Sequence, residues 1–156
     1  MDLNFALLEV DEFNLLTDRT TGIVVIKNVA AEAGISRSTG GRGLVVGHIL
    51  NDIGWSDIFF GNEGNQWIGN PGDNFLFKNL GNGTFAETEF LVSNENLRGI
   101  ALADLNNDGL LDIICGNWEG NHRIFLPLKA KSGRHFRNVA AAFFEQPSQI
   151  RTVLVK

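Results

Sequence analysis

The chain contains no tyrosine and a single cysteine, so Cys115 excludes any internal disulfide and leaves the redox compartment open. Its neighbours Ile113 and Ile114 place that cysteine inside an apolar segment, where it reads as a small buried residue and not a reactive thiol. No apolar run approaches the roughly 20 residues that a membrane helix requires. The 13 basic residues form no cluster and the net charge is −5, which excludes the footprint of a nucleic-acid or anionic-membrane binder. Met1-Asp2-Leu3-Asn4 lacks the basic and apolar regions of a signal peptide, so export cannot be read from these residues. Gly-x-Ser-x-Gly, Walker and dinucleotide motifs are also missing. His48, His122 and His135 lie more than 10 residues apart, with no partner at zinc-ligand spacing.

What is present is glycine (18) and phenylalanine (12), a composition for many turns between short strands in one domain of 156 residues. The densest chemistry lies in Asp104-Leu105-Asn106-Asn107-Asp108-Gly109-Leu110-Leu111-Asp112. Oxygen-bearing side chains stand at positions 1, 3, 5 and 9 of this stretch, with glycine at 6. A hard cation such as Ca²⁺ takes roughly six to eight oxygens, and a short loop supplies them best from alternate residues. Gly109 permits the turn that returns Asp112 towards Asp104. The expected ligands are Asp104, Asn106, Asp108, the Leu110 carbonyl and Asp112, with water completing the shell. Three carboxylates between stiff flanks favour Ca²⁺ over the smaller, more strictly octahedral Mg²⁺. An EF-hand opens in the same way, but its twelfth position carries Glu and its flanks are helices, whereas here that position is Cys115 and the flanks read as strands. The competing explanation is a plain Asn-Asp-Gly hairpin turn.

Arg42-Gly43-Leu44-Val45-Val46-Gly47 matches Arg98-Gly99-Ile100-Ala101-Leu102-Ala103, and Asp57-Ile58-Phe59-Phe60-Gly61-Asn62 matches Asp112-Ile113-Ile114-Cys115-Gly116-Asn117, at offsets of 56 and 55 residues. Asn28-Val29-Ala30 likewise pairs with Asn138-Val139-Ala140. Each unit reads as an apolar strand, the Asp/Asn loop, a strand ending Gly-Asn, a pair around Phe77 or Phe125, and a strand opening at Phe85 or Phe136. Such a unit suits a propeller blade. The expected fold is all-β, a partial β-propeller of about two and a half four-stranded blades. Residues 1–40 form an incomplete blade, 41–97 a blade with a degenerate metal loop, 98–149 the calcium-loop blade, and 150–156 the first strand of a truncated next blade. Phe5-Ala6-Leu7-Leu8-Glu9-Val10 reads as a strand with no loop before it, so the chain is expected to be an internal piece of a longer repeat protein. Ala30-Ala31-Glu32-Ala33-Gly34 offers one helical turn, ended by Gly34 in a left-handed conformation.

The first unit's loop departs from the pattern. His48 stands where Asp104 does, Leu50 replaces Asn106, and Ile53 is inserted before the glycine. Only Asp52 and Asp57 keep ligand-like places, and this loop is expected to stay metal-free. Asn82-Gly83-Thr84 is a formal glycosylation sequon, yet a Gly81-Asn82-Gly83 hairpin turn accounts for the same residues. Trp55, Trp67 and Trp118 could line a binding surface. For Trp118, after the Gly-Asn strand end, packing between blades is the simpler account.

These residues resemble the FG-GAP/VCBS repeats of integrin α-subunit propellers, and more closely the cartilage acidic protein family. The resemblance covers nearly the whole chain. It is carried by Val29-Ala30-Ala31-Glu32-Ala33-Gly34, Thr39-Gly40-Gly41-Arg42-Gly43, Asn74-Phe75-Leu76-Phe77, Gly83-Thr84-Phe85, Arg98 to Asp104, Gly116-Asn117-Trp118 with His122-Arg123, and Pro147-Ser148 before Arg151-Thr152-Val153. It implies a seven-bladed calcium-binding propeller in an extracellular matrix or secreted protein, without catalytic activity. The functional expectation is therefore a non-enzymatic Ca²⁺-stiffened scaffold. Its inter-blade loops would meet protein or glycan ligands, with no nucleic acid and no membrane insertion, and the missing blades of the same longer chain would complete it. The alternative is the propeller part of a polysaccharide-degrading enzyme whose catalytic residues lie mostly outside these residues.

Overall fold

The computed structural model describes residues 28–37, 41–50, 54–63, 72–89, 95–130, 133–144 and 146–155. The expected strand at 5–10, Thr39 and Gly40, Asp52 and Ile53 of the first loop, and Trp67 lie outside them. Eight strands form two sheets with the orders β1-β2-β3-β4 and β5-β6-β7-β8. The first contains β1 (Gly43–Gly47), β2 (Asp57–Gly61), β3 (Phe75–Asn79) and β4 (Phe85–Thr88). The second contains β5 (Leu97–Ala103), β6 (Asp112–Asn117), β7 (Arg123–Ala130) and β8 (Gly133–Asn138). Every neighbouring pair is antiparallel, so each sheet is a simple meander. β8 opens at Gly133, three residues before the expected Phe136, because Leu128, Lys129 and Ala130 extend the pairing outward. No closed propeller is formed by the described residues.

The two sheets pack face to face. Ile49, Phe59 and Leu76 of the first meet Leu97, Ile113, Cys115 and Phe125 of the second in one buried cluster. The other face of the first sheet is covered by the segment before it, where Ala30, Ala33 and Ile35 pack on Phe77. Strands buried on both faces need not alternate apolar with polar residues, which is why β2 and β6 read as unbroken apolar runs. The covering segment makes the expected single turn. Ala33 N–H bonds to the Val29 carbonyl (2.8 Å) and Gly34 closes it at φ 79°. Its repeat mate carries a short 3₁₀ turn at Ala140–Ala142. Asn28 and Asn138 hold the two turns alike, each accepting the N–H of the alanine two residues on, at 3.0 Å.

A pair of glycines faces the next unit in each sheet. Gly43 lies opposite Gly61, and Gly99 opposite Gly116. A Cβ on Gly61 would lie 2.5 Å from Cδ1 of Ile100, and one on Gly116 would collide with Ile150. Without them the following segment could not approach so closely. Leu97 N–H bonds to the Asn62 carbonyl at 3.1 Å, and Ile150 N–H bonds to the Asn117 carbonyl at 3.1 Å. The 150–155 segment thus docks on the second sheet as β5 docks on the first. It forms no ladder, because no partner strand lies beside it among the described residues.

Candidate functional site

The 104–112 loop joins β5 to β6, whose ends Ala103 and Asp112 face each other. Asn107 and Gly109 take φ of 58° and 81°, the left-handed conformations that Asn and Gly reach most cheaply. The loop's side-chain oxygens point inward onto its own backbone. Asp104 accepts the Asp108 N–H at 3.0 Å and the Gly109 N–H at 2.9 Å, one on each oxygen. Asn106 Oδ1 accepts the Asp108 N–H at 3.1 Å, while Asp108 Oδ1 accepts the Leu110 N–H at 2.8 Å. Asn106 Nδ2 donates to Asp108 Oδ2 at 2.8 Å. Leu110 is 5 % exposed, whereas residues 105–109 before it are all exposed.

Asp112 differs from the rest of the set. It is fully buried, its Oδ2 accepts the Leu105 N–H at 2.7 Å, and its Oδ1 has no partner. Burial raises its carboxyl above the ordinary carboxylate range. The Leu105 N–H opposes that rise, and the charges of Asp108 and Asp104 add to it. A buried, unpaired carboxylate oxygen in the field of two further carboxylates is a place where a cation is favoured. Oxygen donors of this kind suit a hard divalent ion. Among the described residues no three carboxylate, imidazole or thiol side chains converge on one point. The structure therefore brings Asp104, Asn106 and Asp108 together through the turn, and leaves Asp112 below them with one oxygen open.

The first sheet's loop treats its carboxylate differently. Asp57 is also fully buried, but Oδ2 accepts the Leu50 N–H at 2.8 Å and Oδ1 accepts the Asn79 N–H at 2.9 Å. Both oxygens are satisfied by backbone. Ile49 is fully buried, and Arg134 of β8 donates to the Ile49 and His48 carbonyls at 2.6 and 3.1 Å. A guanidinium from the second sheet thus already brings positive charge to this loop. That contact links positions 85 residues apart and has no local signal.

Beyond the loops, a run of side chains crosses both docking interfaces. Glu63 and Trp118 follow the two Gly-Asn strand ends. Arg42 donates to Glu63 at 2.6 Å, and Arg98 pairs with its other oxygen. Burial tends to raise the Glu63 carboxyl, but the hydrogen bonds and charges of Arg98 and Arg42 outweigh it and hold the group below its usual range. Arg98 also stacks 4.0 Å from the Trp118 ring centroid, and Arg151 lies 4.8 Å from it. Trp118 therefore packs between units as expected, and Trp55 lies over Gly81 with 61 % of its surface exposed.

His122, just before β7, is buried. Its Nδ1 accepts the Asn117 N–H at 3.1 Å, which puts the proton on Nε2, 2.7 Å from Ser148 Oγ. Burial, and then the Arg123 charge, hold the imidazole below its ordinary pKa. Cys115 is buried and its thiol is pushed far up by the same desolvation, then by Glu95, against a smaller opposing effect of Arg123. Asn82 is exposed at the β3–β4 turn, and its Oδ1 accepts both the N–H (3.1 Å) and the hydroxyl (2.6 Å) of Thr84. Gly81 and Gly83 take φ of 80° and 82° in that turn.

The FG-GAP-like repeat family profile matches residues 50–115, from the first loop into β6. The chain is 44 % identical over 153 residues to Cartilage acidic protein 1 of Xenopus tropicalis, and equally to that of Mus musculus. The human protein of the same name is 43 % identical over the same length. Each alignment takes in 96 % of this chain and 22 % of the relative, so the chain spans about a fifth of the curated relatives it matches.

Proposed function

We propose that this chain is a non-enzymatic, calcium-binding part of a β-propeller scaffold in an extracellular protein. The observation that carries the reading is Asp112 Oδ1, buried and unpaired beneath a loop whose Asp104, Asn106 and Asp108 oxygens recur at alternate positions. These residues, with the Leu110 carbonyl, would hold the ion. Bound there, Ca²⁺ would supply the positive charge that Asp112 lacks and tie the turn to the start of β6. Leu105 N–H fixes the carboxylate of Asp112 in place, and the Gly109 and Asp108 N–H groups orient that of Asp104. The role is structural: it stiffens the end of a blade whose exposed neighbouring loops would meet a protein or glycan.

Similarity to Cartilage acidic protein 1 over nearly the whole chain supports the extracellular part of this reading. Titration calorimetry with CaCl₂ tests the rest. Binding of one ion per chain, abolished by Asp108→Ala with Asp112→Ala, is the expected result. Undiminished binding in the double variant would sink it.

A further inference from the structure

β7 is an interior strand, flanked by β6 and β8, yet it carries a proline in its middle at Pro127. Interior strands normally exclude proline because it has no N–H to give to a ladder. Here no β6 carbonyl requires one. The β6–β7 pairs are Ile113↔Phe125, Ile114↔Ile124 and Cys115↔Arg123, and Pro127 lies beyond them.

The first sheet shows what an N–H at this place would do. Ile58 pairs with Phe77 as Ile113 pairs with Phe125, which makes Asn79 the counterpart of Pro127. The outer strands agree, since Asn79 lies opposite Phe85 and Pro127 opposite Phe136. Asn79 N–H is the donor that satisfies Asp57 Oδ1 at 2.9 Å. At the equivalent place in the second sheet there is no hydrogen to give, and Asp112 Oδ1 is the oxygen left without a partner.

We propose that Pro127 is the specificity-determining residue of the cation site: by withholding one backbone N–H, it reserves Asp112 Oδ1 for a divalent metal ion. This inference rests on the calcium reading above. Asn79 and Pro127 then distinguish a blade whose buried aspartate is closed by its own backbone from one whose aspartate is completed by an ion. Leaving a buried carboxylate oxygen without a donor is costly. The sheet sustains that cost only in the metal-free state.

The test compares the full chain with Pro127→Ala and Pro127→Val, both of which restore the N–H, the second with a residue that favours strands. Calorimetric titration with CaCl₂ and thermal melts in chelator are run on all three proteins. In each variant the Ca²⁺ dissociation constant should rise about tenfold to a hundredfold, the worth of one hydrogen bond to a charged group. The new amide of residue 127 should exchange slowly in chelator, and the calcium-induced rise in Tm should shrink. Equal affinity for Ca²⁺ in the parent and in whichever variants fold overturns the role of Pro127 while leaving the calcium site standing. A parent chain that binds no Ca²⁺ removes the calcium reading and this inference with it.

Discussion

The two sheets have the same strand order and closely similar registers, and each starts its second strand with a fully buried aspartate. Asp57 has both oxygens occupied by the N–H groups of Leu50 and Asn79, whereas Asp112 has one occupied and one open. One scaffold therefore tolerates two solutions to the same burial problem. In the first the backbone closes on both carboxylate oxygens, and the loop lacks the alternate oxygen-bearing side chains. In the second the loop keeps those side chains, and one carboxylate oxygen stays without a donor.

The sharpest way to break this comparison is to delete the two aspartates in turn. Asp57→Ala strands two backbone donors, Leu50 and Asn79, at about 1–3 kcal/mol each, so a loss of about 3 kcal/mol is expected with or without Ca²⁺. Asp112→Ala strands only the Leu105 N–H and removes an unpaired oxygen, so in chelator the loss should be about 1 kcal/mol. The order should invert for metal binding, abolished by the second substitution and retained by the first. Urea unfolding in chelator and in Ca²⁺ checks both halves.

Arg98 comes next, because it belongs to both interfaces, pairing with Glu63 and stacking on Trp118. Arg98→Ala should lose about 2 kcal/mol, from a half-buried ion pair and a cation–π contact. A double-mutant cycle should show coupling to Glu63 that weakens with salt and coupling to Trp118 that does not. The first interface should also respond to acid, in the carboxylate range. Glu63 is held below its usual range in the folded state, so it stabilises fully above the ordinary carboxylate pKa, and the contribution is lost as pH falls through the depressed value. Glu63→Gln should flatten that limb of the pH–stability curve.

Much of this was legible locally. The starts of β2 and β6 and the left-handed Gly34 and Gly109 follow from residues within a few positions of one another. What stayed hidden depends on register across the sheet. Asn79 lies 22 residues from the Asp57 it satisfies, and Arg134 lies 85 from the Ile49 carbonyl it caps. Pro127 is visible in the chain as an oddity in an apolar strand, but its meaning appears only when the two ladders are aligned. Residues 150–155 carry a strand-like pattern and dock as one, yet a strand needs a ladder partner, which composition alone does not supply.

A third contrast pairs Asn74 with His122, which hold the equivalent N–H groups of Asn62 and Asn117 at 2.8 and 3.1 Å. The amide does not titrate; the imidazole does. His122 is held below its ordinary pKa by burial, so the unfolded chain takes up the proton first and stability falls as pH drops below about 6.5. Protonation at Nδ1 removes the acceptor for the Asn117 N–H. About 1 kcal/mol should be lost across that window, and His122→Asn, which copies the first sheet, should abolish the dependence. Melts at pH 7 and pH 5 would show it, and an identical slope in the variant would assign the acid sensitivity elsewhere.

The smallest effects belong to the outer rungs, and they test whether the two interfaces differ in kind. Arg42 is 58 % exposed where it pairs with Glu63, so solvent and salt screen it, and Arg42→Ala should cost about 0.5 kcal/mol at low salt and nothing measurable at 1 M NaCl. Arg151 ends the same run of side chains on the other side of Arg98, where it meets the Trp118 ring instead of a carboxylate. An exposed cation–π contact is worth about 0.5–1 kcal/mol. Part of that is ring-face packing by the guanidinium, which salt does not screen. Arg151→Ala should therefore lose about the same as Arg42→Ala at low salt and keep most of the loss at 1 M. Arg151→Lys should recover only part of it, since an ammonium lacks the flat face that stacks. If the two losses vanished together with salt, Trp118 would be only a spacer and the first and second interfaces would be held by the same long-range charge.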